Sequence, residues 1–495
     1  MSAKKAAKSR SAALQRAIVR RKQRRQKRGI ALIMVLGAIT ILTVFLTELQ
    51  TDTSSALAGA LADRDRLKAE YYAKSAVNLS RMLLASEPLI RQDPMIAILM
   101  SGAKIKQLPV WEFSRLVLGA FNGGEHARAF GTNVGVDLST AKNVGIPGKD
   151  YFEVKIVDED SKININTAAG IQAPTRLMQQ LAAAFLQPQY ATLFEAPDGD
   201  RQNTDAGMLC AAMIDWADAD ETLTNCIDPT QAGGGAEDNS YQMLGFDYRR
   251  KNAGYDSFEE LRLIRGMDDD RWATFVDPDP SDPKKRLMTV WGQQGVNVNT
   301  ANAQTLYTMV CAYAAPQTPL CNDPLQAVMF LQGLNLFRSL LPGVPIAMSG
   351  KDFKNNMMQT KEGILGTILK SLGVLPVTFR DDLTSKQANS VFKTDSKFFS
   401  IYAEGVVPGT QREARVRIHA VIDRSAPTDW SKVQVPGQNG ANPQSAKDST
   451  AALPGQQDPT SQSAPGTVNP ELYDQEFVDA LKKNPFGRMI YYRVD

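Results

Sequence analysis

The chain has 495 residues, enough for two or more structural units, and a formal net charge of +3. That total hides two unlike parts: residues 1–29 carry twelve Lys or Arg and no acid, which leaves 44 bases against 53 acids, a net of −9, in the rest. An acidic body argues against a nucleic-acid-binding surface as its main business.

The basic run ends at Gly29, and Ile30 to Thr47 follow without a charge until Glu48. Eighteen uncharged residues match the ~17 to 20 that cross a bilayer as a helix. The preceding bases predict a cytoplasmic N-terminus, with the rest of the chain on the other side of an inner membrane. A cleaved secretory signal, with Ala56-Leu57-Ala58 as the small-residue site, is the competing reading. From Thr51 to about Leu84 there is no proline, and Leu57, Leu61, Leu67, Tyr71, Ala76, Leu79 and Leu83 recur at near-helical spacing. One helix is therefore expected to run from the membrane core far outward.

Tyr151 to Asp160 alternates apolar and polar residues and reads as a half-buried strand; 397–407 and 412–424 read as a hairpin around Pro408-Gly409. RMIYYRVD at the end reads as a further strand. The tract 425–469 is rich in Pro, Gln, Ser, Gly and Asn and reads as a linker or long surface loop. Between first strand and hairpin the pattern is mainly helical, with an internal echo: Ile163-Asn164-Ile165-Asn166-Thr167-Ala168 and Val296-Asn297-Val298-Asn299-Thr300-Ala301. Each Asn-Thr pair is expected to cap the helix after it. The fold class is thus α+β, a small sheet interrupted by a large helical insertion. The four cysteines form two close pairs, Cys210 with Cys226 and Cys311 with Cys321, with no CxxC and with histidine only at His126 and His419. That spacing suits two local disulfides in an oxidising compartment better than a zinc site, the alternative being four buried thiols.

Lys27-Arg28-Gly29 before Ile30 and an apolar helix resembles the leader junction of type IV pilins and type II secretion pseudopilins. The resemblance implies cleavage after Gly29 by a prepilin peptidase and methylation of Ile30. Pilin-like proteins mostly carry Glu at the fifth mature position, where this chain has Met34; that departure resembles the K-type minor pseudopilins (general secretion pathway protein K). DEDSKININTA (158–168), IDWADAD (214–220), GGAEDNSYQ (234–242), YDSFEELRLIRGM (255–267) and VNVNTA (296–301) resemble the same family. The family implies a periplasmic subunit that initiates and caps a pseudopilus. Its implied partners are I- and J-type minor pseudopilins, an H-type one, the major pseudopilin and the inner-membrane assembly platform. The segments expected are a leader (1–29), a transmembrane helix (30–47), its periplasmic extension (48–90) and the first part of a pilin-like domain (91–160). A SAM-like or helix-hairpin-helix-like insertion (161–390), a hairpin (391–424), the tract (425–469) and a C-terminal segment (470–495) complete the chain. A missing carboxylate at Met34 suits a tip subunit, since a buried charge with no neighbouring amine is costly; otherwise Met34 simply faces lipid.

Asp215, Asp218, Asp220, Glu221, Asp228, Glu237 and Asp238 crowd one stretch broken by Gly233-Gly234-Gly235. Oxygen ligands on a bendable loop suit Ca²⁺, though Thr222 and Leu223 break an EF-hand pattern. The family resemblance singles out Asp218, Asp220, Glu237 and Asp238 as calcium ligands; the alternative is a solvated acidic loop. No P-loop, GxSxG, HExxH or Cys-His-Asn pattern points to an enzyme or a small-molecule substrate. Two further readings compete: a type IV pilus minor pilin, and a membrane-tethered DNA-binding protein of the competence type, whose helix-hairpin-helix would turn at Gly266. Met267-Asp268-Asp269-Asp270 after that glycine would repel phosphate. Ser257 and Glu260 are expected to form a capping box there.

Overall fold

The computed structural model describes residues 2–90, 107, 109–122, 145–146, 149–169, 175–198, 203–227, 241, 248–341, 343–360, 363–409, 412–425 and 486–495. Side chains are described in these ranges except at 2–10, 23–31, 88–90 and 116. Glu237, Asp238 and almost all of the 425–469 tract lie outside the described residues. The chain divides into two units, Met1–Ala69 with Val407–Ala414, and Glu70–Val406 with Arg415–Asp495.

The first unit is dominated by helix α1 (Ser2–Ile90), which runs unbroken through Gly29 and Ile30. Its stretch from Leu32 onward contains a window long and apolar enough to cross a membrane, none of it buried in the chain itself. Thr40, Thr43 and Thr47 turn their hydroxyls back to carbonyls three or four residues earlier, so the apolar stretch carries no unsatisfied hydroxyl at these positions. Met34 is 65% exposed, among other exposed apolar side chains of this stretch.

In the second unit, β1 (Tyr151–Asp158), β6 (Phe398–Val407), β7 (Ala414–Asp423) and β8 (Arg488–Val494) form a four-stranded sheet in that order. The strands read from the sequence pair antiparallel, Tyr151 opposite Val406 through to Asp158 opposite Phe399, and Ile418 opposite Val494. One sheet face is closed by the last turns of α1. Ala73, Ala76, Val77, Leu83 and Leu84 pack with Trp111, Phe152, Ile156, Phe399, Ile401 and Ile418. Ala73 and Ala76 are small enough to bring helix backbone close to the sheet, whereas Leu67 and Tyr71, expected on the packed stripe, stay exposed. Trp111 and Phe399 meet at 4.8 Å between centroids.

The insertion runs from the end of β1 to the start of β6, beyond the expected boundary at residue 390. It is mainly helical, but it also holds two parallel strand pairs that the sequence reading missed. β2 (Ile163–Asn164) pairs with β3 (Met288–Thr289), and β4 (Val296–Asn297) with β5 (Phe392–Lys393). The two echoed motifs are therefore β2 and β4 with their following turns. Each carries the same asparagine bond, Asn164 Oδ1 accepting from Asn166 N and Asn297 Oδ1 from Asn299 N; Thr167 donates to the Asn164 carbonyl, whereas Thr300 lies 3.5 Å from the Asn297 carbonyl and donates to Asp158. The Asn-Thr pairs do not cap helices, contrary to expectation. Asn302 caps the helix Ala303–Tyr313 through Thr305 N. Asn166 and Asn299 instead each clamp a distant loop with both ends of the amide. Asn166 accepts from Tyr255 N and donates to Tyr255 O, and Asn299 accepts from Ala347 N and donates to Ala347 O.

Around these turns one continuous core gathers Leu177, Leu181, Phe185, Met213, Phe275, Leu306, Phe330, Phe353 and Phe392. Disulfides join Cys210 to Cys226 and Cys311 to Cys321, closing short loops at the edge of that core.

Candidate metal loop and the neck of the insertion

The acidic loop is built on the helix Ala206–Asp215, started by Asp205, whose side chain accepts from Met208 N. At its end Trp216 lies flat against Tyr255, 6.4 Å between centroids, with Tyr241 and Tyr248 beside it. Tyr255 Oη donates to Met213 O, and Asn166 fixes the backbone of Tyr255, so an aromatic platform holds the helix exit. The Cys210–Cys226 bridge ties the returning strand of the loop to the same helix.

On this platform the three described aspartates differ. Asp215 is buried and accepts from Thr224 N; burial raises its pKa to about 6 against that bond and the Arg250 charge. Asp220 accepts from Thr222 N and its carbonyl from Arg250. Asp218 is 1% exposed, and neither of its carboxylate oxygens has a hydrogen-bond partner. Burial first, then the charges of Asp215 and Asp220, push it up to about 7, with Arg250 opposing. A buried carboxylate with two idle oxygens is costly unless a cation or proton meets it. Among the described residues no group of three or more His, Cys, Asp or Glu is arranged around a metal position. The structure thus brings Asp218 and Asp220 into one loop; Glu237 and Asp238 fall outside the described residues. The donor set, hard oxygens beside an orphaned carboxylate, fits Ca²⁺.

The turn at Gly266 is packed against Thr204 and held from inside. Gly266 has φ +80°, and a Cβ there would meet Thr204 Cγ2 at 2.5 Å. Arg271 donates to Gly266 O and Thr204 O, and Asp268 caps Arg271 N. The expected capping box is absent: Ser257 makes no side-chain cap bond, and Glu260 accepts from Asp256 N and from Lys251. The segment Phe258–Leu263 is a 3₁₀ turn held by its own packing, with Phe258 and Leu261 buried.

A second polar cluster, missed by the sequence reading as a site, lies where the insertion leaves the sheet. Asp158, Glu159, Asp160 and Lys162 are all buried. Lys162 Nζ bonds both oxygens of Glu159 at 2.9 Å, and Thr289 donates to Glu159. Burial alone would raise Glu159, but the Lys162 charge and these bonds outweigh it and hold its pKa low. Asp160 Oδ1 accepts from Gln293 N, and Oδ2 from Lys397 N, Phe398 N and Gln293 Nε2. Asp158 accepts from Asp160 N and from the hydroxyls of Ser396 and Thr300. The entry and exit of the insertion are thereby fastened to one another and to the second echoed turn. The run of three acids in DEDSK was the available signal; its partners are brought in only by the tertiary fold.

Residues 161–275, which contain both the first echoed turn and the acidic loop, match the family model of type II secretion system (T2SS), protein K. This segment is a protein K domain, and the chain that carries it is a minor pseudopilin of type II secretion, with the domain set inside a small sheet and an apolar helix at the N-terminus. A solved relative is a chain of the GspK-GspI-GspJ complex from the enterotoxigenic Escherichia coli type 2 secretion system. It has 14% identity and a TM-score of 0.36, and the match covers 75% of this chain and 93% of that one. No curated protein matches in sequence.

Proposed function

We propose that this protein K-type subunit sits at the tip of a pseudopilus, where it helps initiate and cap assembly with I- and J-type minor pseudopilins. The observation that carries the reading is the placement of the insertion that holds the protein K domain: residues 159–397, of which 161–275 match protein K, stand between two strands that are neighbours in the sheet. Such a bulk is hard to repeat in every subunit of a tightly wound filament and is easily held once, at an end. The sequence supports the companion steps: cleavage after Gly29, methylation of Ile30, and a single span with the N-terminus in the cytoplasm. Met34 in place of a carboxylate fits a subunit with no neighbouring amine to neutralise.

Calcium is the ion that suits the loop of Asp218 and Asp220, with Glu237 and Asp238 as further ligands. When bound it would supply the positive charge that these carboxylates lack. Asp218 offers both oxygens, Asp215 fixes the returning backbone at Thr224, and Trp216 anchors the loop to the aromatic platform. The functional test is deletion of the chain in its host. Exoprotein secretion should stop while pili persist, and return when the full-length chain is restored; loss of pili with normal secretion favours a pilus minor pilin.

A further inference from the structure

We propose that Asp158 and Asp160 form a proton-dependent clasp on the neck of the insertion, fastening its entry and exit while one proton is held and loosening them when it is lost. The two carboxylates are buried side by side at the end of β1, and what they grip is the other end of the insertion: Ser396, Lys397 and Phe398. Among the described residues, the cation bonded within this cluster is Lys162, and it is spent on both oxygens of Glu159. Fully ionised, the neck holds three adjacent buried carboxylates against the Lys162 ammonium, with the Arg286 guanidinium near Glu159 but bonded to Asp277.

The bonding allows one proton without a broken contact. With Asp158 ionised, the hydroxyls of Ser396 and Thr300 both donate to its Oδ2. With the proton on Oδ2, Asp158 donates to Thr300 Oγ1, whose own hydrogen turns to Asn297 O at 3.5 Å. Ser396 continues to donate to Asp158 and to accept from Asn297 Nδ2 at 2.6 Å. Asp160, which meets four N–H donors and no hydroxyl, is the better place for the remaining negative charge.

The surrounding charges agree. Burial and then the Asp160 charge raise Asp158 to about 8 against its three donors, and burial raises Asp160 to about 6 against its N–H groups. The titratable groups of other elements that act on this cluster include Arg286, Tyr402 and His419, and Lys393, Asp395 and Lys397 stand on the segment leading into β6. His419 is pushed down to about 4 by burial, so it stays neutral through the range in which Asp158 titrates. An Asp in the opened neck returns to about 3.9. Between about 6 and about 8 the closed neck holds one more proton than the open one, and below about 6 Asp160 adds to that excess, so closure weakens as pH rises and is favoured as pH falls.

The test is amide hydrogen exchange of the full-length chain in detergent, read at Gln293, Lys397 and Phe398 from pH 6.5 to 8. After correction for base catalysis, exchange should accelerate up to about tenfold per pH unit, the slope of a one-proton linkage. Asp158→Asn should flatten that slope to within about twofold, and the difference between the two chains removes any contribution from Asp215 and Asp218. Equal slopes in wild type and Asp158→Asn overturn the clasp. Ser396→Ala provides a second readout, since losing a donor that bonds the ionised form most strongly should move the acceleration to higher pH; an unmoved midpoint overturns it equally.

Discussion

Asn166 and Asn299 show what a single side chain decides in this molecule. Each amide serves the N–H and the C=O of one residue in a loop far away in sequence, Tyr255 or Ala347. The echo was visible in the sequence, but the partners were not, because nothing local distinguishes a helix-capping Asn from one that reaches across the core. Asn166→Ala would strand both backbone groups of Tyr255, the residue on which Trp216 rests, and should cost about 1 to 3 kcal/mol in chemical denaturation. A loss within a few tenths would contradict the clamp. Gly266 is a similar case: Gly266→Ala forces a side chain into a left-handed backbone and against Thr204, for a loss of about 1 to 2 kcal/mol. His419 adds a pH effect. It stacks on Tyr402 at 4.2 Å and meets Trp291 and Tyr491, and burial holds it near 4. The unfolded chain, at about 6.5, then binds the extra proton between roughly pH 6.5 and 4, so this residue lowers stability as pH falls through that window. His419→Phe should reduce the acid loss seen in thermal unfolding; an unchanged acid limb would contradict the assignment.

Elements were legible in proportion to their length. The helix through Leu84, the β6–β7 hairpin and the last strand follow from periodicities sustained over seven residues or more. β2 to β5 have two residues each, too few for a period-two pattern to register. The packed face of α1 was half right, since Ala76, Leu79 and Leu83 meet the sheet while Leu67 and Tyr71 do not. Hydrophobicity alone favoured the larger side chains; close approach needed the small ones. Ala76→Leu should therefore destabilise the sheet unit by about 1 to 3 kcal/mol through overpacking. Leu67→Ala should change stability by less than about 0.5 kcal/mol. Calorimetry on the two variants checks the ordering, and a reversed ordering would contradict this packing. The acidic loop was legible as a run of carboxylates. Which of them is idle was not, because Asp215, Asp218 and Asp220 differ only in the donors that folding brings to them.

At the scale of the whole molecule, a sheet is interrupted between neighbouring strands by an insertion whose first part is a protein K domain, and the interruption is closed by the buried acids of DEDSK. The calcium proposal also belongs to this scale, because it concerns the free energy of the folded chain. At a hundredfold excess over Kd, calcium should add about 2.7 kcal/mol to the stability of the full-length protein in detergent. Asp218→Asn should remove most of that gain. Melting curves that coincide with calcium and with chelator would end the proposal. The central claim is that this chain is the protein K-type minor pseudopilin of a tip assembly. Its most direct test is co-purification of the full-length chain, in detergent, with the I- and J-type minor pseudopilins of its host, with the mass of the eluted species measured. The account predicts a single complex containing one copy of each, dependent on residues 159–397 being present. Elution of this chain alone, with the I- and J-type proteins associating without it, would contradict the account.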